Sequence, residues 1–156
     1  ICPAARLLDA GVNLALGTDG AASNNNLDMF GAMRAAALLA KVAGRATDLP
    51  AAVVLEMATL GGARMLGRDD ELGSIEAGKR ADLTAVDLSG TTTQPVYDPV
   101  STLVYACSGG DVSHTWVDGV ARYADRVCLS VDRPALMQTV HGWQQRISGD
   151  RQENHA

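Results

Sequence analysis

Aromatic residues are scarce in this chain: phenylalanine, tryptophan and tyrosine make up 4 % of its 156 residues, and the single phenylalanine is Phe30. That scarcity argues against a platform for unpaired nucleic-acid bases, which needs ranks of exposed rings. Positive charge is thin as well. Thirteen Lys and Arg stand against 18 Asp and Glu, the net charge is −5, and no basic run occurs, so contacts that neutralise phosphates have little to rest on. No apolar stretch reaches the ~18 residues that read as a membrane span. Cysteine is confined to Cys2, Cys107 and Cys128, scattered and without a CxxC pair. Such a set reads as reduced, buried thiols in a cytoplasmic protein, not as a disulfide frame or a zinc clip. Histidine is limited to His114, His141 and His155, which share no metal-ligand spacing. We expect His114 in a strand, His141 on a helix and His155 in a frayed tail.

What remains is 47 % apolar with 16 glycines, enough for one ordinary domain with a sizeable core. The first residue is Ile1, and we expect a segment from inside a longer protein, with no signal peptide ahead of the fold. A short helix is predicted over 3–10, stopped by Gly11, and a strand over 12–16. Ser23 and Asn26 are candidate caps of the next helix, with Asp28 in its first turn. That helix runs to about Ala43, with Phe30, Met33, Ala37 and Ala40 at core spacing. Its alanine content predicts burial on more than one side. A second helix starts after Thr47-Asp48-Leu49-Pro50 and closes at Gly67, with Gly61 and Gly62 permitting close packing. A small β segment is expected over 73–88. A hairpin turning at Asp118-Gly119 follows. Pro134 opens a last helix through Ile147, with Leu136, Val140 and Trp143 at helical spacing. Met29, Met33, Met57 and Met65 read as core filler, Trp116 and Trp143 as core anchors, and Glu76, Lys79, Arg80 and Asp82 as a solvated turn.

Chemistry concentrates at Leu16-Gly-Thr-Asp-Gly20, where a short apolar run ends in a glycine-flanked carboxylate. An α/β barrel presents catalytic groups on loops at the ends of its buried strands, and Gly17 and Gly20 would let the chain turn sharply around Asp19. An aspartate in a common Asp-Gly turn is the plainer reading. A phosphate-binding loop is disfavoured by the central carboxylate and by the missing lysine. Ser23, Ser74 and Ser108 have no histidine pattern to activate them. Ser23 and Asn24 are candidates for lining a substrate mouth, although helix capping is the commoner use of such residues.

Three motifs carry a resemblance. Leu16-Gly-Thr-Asp-Gly-Ala-Ala-Ser-Asn-Asn25 resembles the last barrel strand and loop of amidohydrolase-superfamily deaminases. Ala58-Thr-Leu-Gly-Gly-Ala-Arg-Met-Leu-Gly67 is similar to their helix after the barrel, and Gly73-Ser-Ile-Glu-Ala-Gly-Lys-Arg-Ala-Asp-Leu83 to the return into their small β domain. Tyr97 to Tyr105 and Val117-Asp-Gly119 extend the likeness. Within the superfamily the chain looks most like the branch of 5-methylthioadenosine/S-adenosylhomocysteine deaminases and chlorotriazine-type hydrolases.

The resemblance implies an α/β fold: the C-terminal part of a TIM (β/α)8 barrel followed by part of a small β-sandwich. Residues 1–67 would be the last barrel strand and helices, 68–130 the β-sandwich lobe, 131–147 a C-terminal helix and 148–156 a polar tail. It implies hydrolytic deamination of a small molecule, a purine nucleoside derivative of the adenosine type, with a zinc ion as cofactor and a capacity for self-association. By the same resemblance Asp19 is metal ligand, general base and substrate contact, beside Ser23 and Asn24. The family's metal histidines and acidic proton shuttle have no matching positions here. Alternatives are a triazine, guanine or pyrimidine-type C–N hydrolase, or an inert fragment or scaffold module.

Overall fold

The computed structural model describes residues 1–153, with side chains through Gly149. Helix α1 (Ala4–Asp9) leads into an extended segment and the Asp19 loop. Helices α2 (Met29–Ala43), α3 (Ala51–Ala58) and α4 (Leu60–Met65) follow, then strand β1 (Leu83–Val86) and helix α5 (Pro99–Tyr105). A single 3-10 turn precedes strands β2 (Val112–Val117), β3 (Val120–Ala124) and β4 (Val127–Cys128), and helix α6 (Arg133–Glu153) closes the described chain.

The core is helical. Met33, Ala37 and Ala40 of α2 meet Val54 and Met57 of α3, Val104 of α5 and the loop residue Leu49. Their spacing puts one stripe of each helix against its neighbours. The other side of α2 carries exposed Leu38, Leu39 and Val42, so the alanine-rich helix buries one face here rather than several. Among the expected filler methionines, Met33 and Met57 are buried whereas Met65 is exposed. Helix α5 returns from the expected β lobe to seal this core, so residues 68–130 are not purely sheet.

Residues 12–16 are extended but form no ladder, which corrects the expected strand. A strand needs a partner for its backbone groups, and among the described residues helices take that place. The Leu16 amide donates to the Met57 carbonyl at 3.0 Å. The Asn13 side-chain amide donates to the Gly61 carbonyl at 3.0 Å. Leu14 and Leu16, two apart, both pack on the core.

The helix expected from 50 to 67 breaks at Thr59, whose backbone leaves the helical region with φ −127° and ψ −92°. Its hydroxyl donates back to the Leu55 carbonyl at 2.8 Å, a local bond that competes with helix continuation. Gly61 sits against the Leu14 carbonyl so closely that a Cβ would collide with it, whereas a Cβ on Gly62 would meet open space. Only the first glycine therefore permits close packing.

The strands form one antiparallel sheet in the order β1-β2-β3-β4. The hairpin turns at Asp118 and Gly119 as expected, with φ of 53° and 74° and Val117 paired to Val120. Lys79 is not part of a solvated turn. It is only 12 % exposed and donates to the Asp69 carbonyl at 2.5 Å and the Ser74 hydroxyl at 2.7 Å, knotting the approach to β1. Trp116 is half-buried, stacked on His114 with centroids 5.3 Å apart. Trp143 is not a core anchor. It is exposed together with Leu136 and Val140, because α6 meets no matching apolar face among the described residues; its ring instead carries the Arg146 guanidinium at 4.1 Å. The helix also runs past Ile147 to Glu153, correcting the frayed tail up to that point, and His155 lies outside the described residues. Cys107 is buried, but Cys2 and Cys128 are exposed, which corrects the expectation of three buried thiols. Burial, followed by the nearby Asp111 charge, pushes the Cys107 thiol pKa up. No described helix is long and apolar enough to cross a membrane.

Candidate active-site loop

Asp19 stands at the tip of the loop that the extended segment delivers. Leu14 and Leu16 anchor that segment to the helical core, while Asp19 itself is exposed. The turn differs from the sequence expectation in one respect. Neither flanking glycine has a positive φ; Asp19 itself takes the left-handed conformation, at φ 61°. Aspartate tolerates that region better than most residues because its short polar side chain bonds locally. Here Asp19 Oδ1 accepts from the Gly20 amide at 2.6 Å. Among the described residues no hydrogen bond reaches Oδ2.

The loop is closed by its own polar groups. The Thr18 hydroxyl donates to the Asp19 carbonyl at 3.1 Å. The amides of Ser23 and Asn24 both donate to the Gly20 carbonyl at 2.9 Å. The Asn24 side-chain amide donates to the Thr18 carbonyl at 2.8 Å, and its oxygen accepts from the Asn26 amide at 3.1 Å. Ser23 is exposed and Asn24 half-buried.

Neither Ser23 nor Asn26 caps α2. Asp28 does, with Oδ1 accepting from the Phe30 amide at 2.9 Å. Its second oxygen accepts from Gly109 at 3.1 Å, 81 residues further along the chain. Arg34, in the second turn of α2, donates to the Cys107 carbonyl at 2.5 Å. The helix that follows the loop is thus fastened to the segment leading into β2. The signal for Asp28 was present in the sequence, since it directly precedes the first apolar residues of the periodic run.

The structure does not bring the histidines to the loop. His114 lies in β2, its Nδ1 3.2 Å from the Ser113 hydroxyl and its Nε2 3.8 Å from Asp125, and His141 is exposed on α6. Among the described residues no three His, Cys, Asp or Glu side chains converge as a metal site. Zinc takes about three or four protein ligands; this loop offers one exposed carboxylate, Asp19, that could hold a single position of such a set.

Residues 1–122 match the Amidohydrolase family, and the chain belongs to that family. Over 151 residues it is 45 % identical to a 5-methylthioadenosine/S-adenosylhomocysteine deaminase from Teredinibacter turnerae, covering 96 % of this chain and 34 % of the relative. Among solved structures it is similar to an adenosine deaminase from Xanthomonas campestris with bound zinc, at a TM-score of 0.92 and 50 % identity, covering 96 % of this chain and 34 % of that one. It is also similar to atrazine chlorohydrolase from Arthrobacter aurescens complexed with zinc, at a TM-score of 0.81 and 32 % identity, covering 91 % and 32 %. The chain therefore spans about a third of the length of the relatives it matches. Mixed helix and sheet, as in these neighbours, is the architecture observed.

Proposed function

We propose that these residues are the C-terminal part of a zinc-dependent amidohydrolase that deaminates an adenosine derivative of the methylthioadenosine or S-adenosylhomocysteine type, releasing ammonia. The observation that carries the reading is Asp19, an exposed carboxylate with one oxygen engaged by Gly20. It stands at the end of an extended segment pinned to a packed helical core. In the whole enzyme residues 1–67 would complete a (β/α)8 barrel. Residues 68–130 would supply part of a β-sandwich from the sheet, with α5 reaching back to the barrel helices. Helix α6 (Arg133–Glu153) would follow the sheet as a C-terminal helical segment. A cytoplasmic location suits the free thiols.

Zinc bound at such a site lowers the pKa of its water to about 7. Asp19 would hold one coordination position. It would also accept the proton released as water adds to the ring carbon that bears the amino group. Returning that proton to the amino nitrogen lets it leave as ammonia and leaves a carbonyl on the ring. Ser23, exposed in the same loop, would serve as a substrate contact, and Asn24 shapes the loop through its bond to the Thr18 carbonyl.

The test is product release by the complete enzyme: ammonia from methylthioadenosine and S-adenosylhomocysteine, and chloride from a chlorotriazine. Turnover of the two nucleosides, abolished by a zinc chelator and restored by zinc, is the expected result. Turnover of the triazine alone would place the enzyme with the hydrolases of that branch.

A further inference from the structure

We propose that Asn24 is the positioning residue that holds Asp19 in its left-handed conformation and so aims the carboxylate at the metal. The inference rests on the reading of Asp19 given above. Asn24 brackets Asp19 on both sides. Its side-chain amide donates to the carbonyl of Thr18, the residue before, at 2.8 Å. Its backbone amide donates to the carbonyl of Gly20, the residue after, at 2.9 Å. The Thr18 carbonyl belongs to the peptide plane that carries the Asp19 nitrogen. Holding that plane on one side and the Gly20 carbonyl on the other restricts the torsions of Asp19 between them, including the φ of 61° from which the carboxylate projects.

Asn24 is in turn held from the far side, where its oxygen accepts from the Asn26 amide at 3.1 Å. Both ends of the side-chain amide are thus committed to backbone, and this half-buried residue is the anchor of a loop whose tip, from Asp19 to Ser23, is exposed. Released from that anchor, an exposed residue with a Cβ relaxes toward negative φ, and the carboxylate swings with its peptide. Asparagine suits the position because it donates to one carbonyl and accepts from one amide at the same time. Aspartate keeps the acceptor but sets a carboxylate oxygen against the Thr18 carbonyl.

The experiment compares Asn24→Asp, Asn24→Ala and Asp19→Asn in the complete enzyme, reading kcat, KM, zinc affinity of the metal-free protein by chelator competition, and the metal-free melting temperature. Groups that orient a metal ligand are worth about 10–100-fold in affinity or activity. We expect both Asn24 variants to lose that much in kcat and in zinc affinity, with KM within about threefold, a range far below that loss, and the melting temperature retained. A raised KM with unchanged kcat and zinc affinity would overturn the proposal by making Asn24 a substrate contact. Losses that follow a lowered melting temperature in both variants would overturn it by making the residue merely structural. If Asp19→Asn abolishes zinc binding and turnover while neither Asn24 variant changes them, this inference fails alone. If Asp19→Asn itself changes neither, the reading of Asp19 fails with it.

Discussion

The molecule contains two aspartate-glycine pairs whose aspartates share a left-handed backbone: Asp19 at φ 61° and Asp118 at φ 53°. At Asp118 the following glycine is left-handed too, at φ 74°, giving the twist that a two-residue hairpin turn requires. Its ladder closes immediately outside the turn, at Val117 and Val120. The Asp118 amide donates to Asp82 at 2.6 Å and its carboxylate faces Arg80 at 3.6 Å. At Asp19 the next glycine is not left-handed, no ladder follows, and a side chain five residues on does the closing. One aspartate is bound into a sheet by its surroundings. The other is held up by its loop with an oxygen to spare. The dipeptide is the same; the closing element separates a turn from a candidate catalytic group.

The largest contrast is expected in turnover. Asp19→Asn should lower the rate of the complete enzyme by about 10²–10⁴-fold, the range for losing a general base, whereas Asp118→Asn should leave it unchanged; steady-state ammonia release decides. Next comes the floor under each turn. Gly61→Ala drives a Cβ into the Leu14 carbonyl and should cost about 1–3 kcal/mol, as overpacking does, with activity falling because Leu14 leads to Asp19. Gly62→Ala meets open space and should stabilise by roughly 0.5–1 kcal/mol. Denaturant titration of the pair separates close approach from helix propensity. Gly119→Ala should cost about 1–2 kcal/mol because the position is left-handed, and it should loosen the hairpin while sparing turnover; equal loss of activity would mean the two turns are coupled.

A weaker effect, common to the scaffold around both turns, is expected from acid. Hydrogen bonding from the Arg45 backbone amide holds the Asp48 carboxyl below its ordinary range. Hydrogen bonds from Arg68 and then Arg80 do the same for Glu71. The Ser101 hydroxyl, ahead of the α5 amides, does so for Asp98. A depressed carboxyl binds fewer protons in the folded state than in the unfolded one. Its contribution is therefore present above the unfolded value and disappears as pH falls through the lower folded value. Melting temperature should be flat from neutral pH to about 5 and decline below about 4, where these carboxyls protonate. A decline beginning near neutral pH would point to other groups.

Much of this was legible in the residues. Gly44 and Gly67 mark helix ends, the Asp118-Gly119 pair marks the hairpin, and the spacing of Met33, Ala37 and Ala40 marks the buried stripe of α2. Local pattern failed where the outcome depends on partners distant in sequence. The short apolar run of 12–16, with turn signals around it, reads as a strand, yet extended backbone becomes a strand only beside a ladder partner, and here it lies on Met57 and Gly61. The stripe of α6 reads as core, yet nothing described faces it. At the loop, the sequence singles out Asp19 as the candidate, but the left-handed turn expected of the glycines is taken by Asp19 itself. Nothing in the local pattern shows that the Asn24 side chain spends both its donor and its acceptor on the backbone.

Asp19, unlike its counterpart in the hairpin, is the proposed metal ligand. The most direct test of that role is zinc affinity, measured by chelator competition on the complete enzyme carrying Asp19→Asn or Asp118→Asn. The account predicts that the Asp118 variant binds zinc as the unmodified protein does, while the Asp19 variant loses at least about tenfold in affinity, the lower end of what even an outer-shell partner contributes. Equal zinc affinity in the two variants would contradict it.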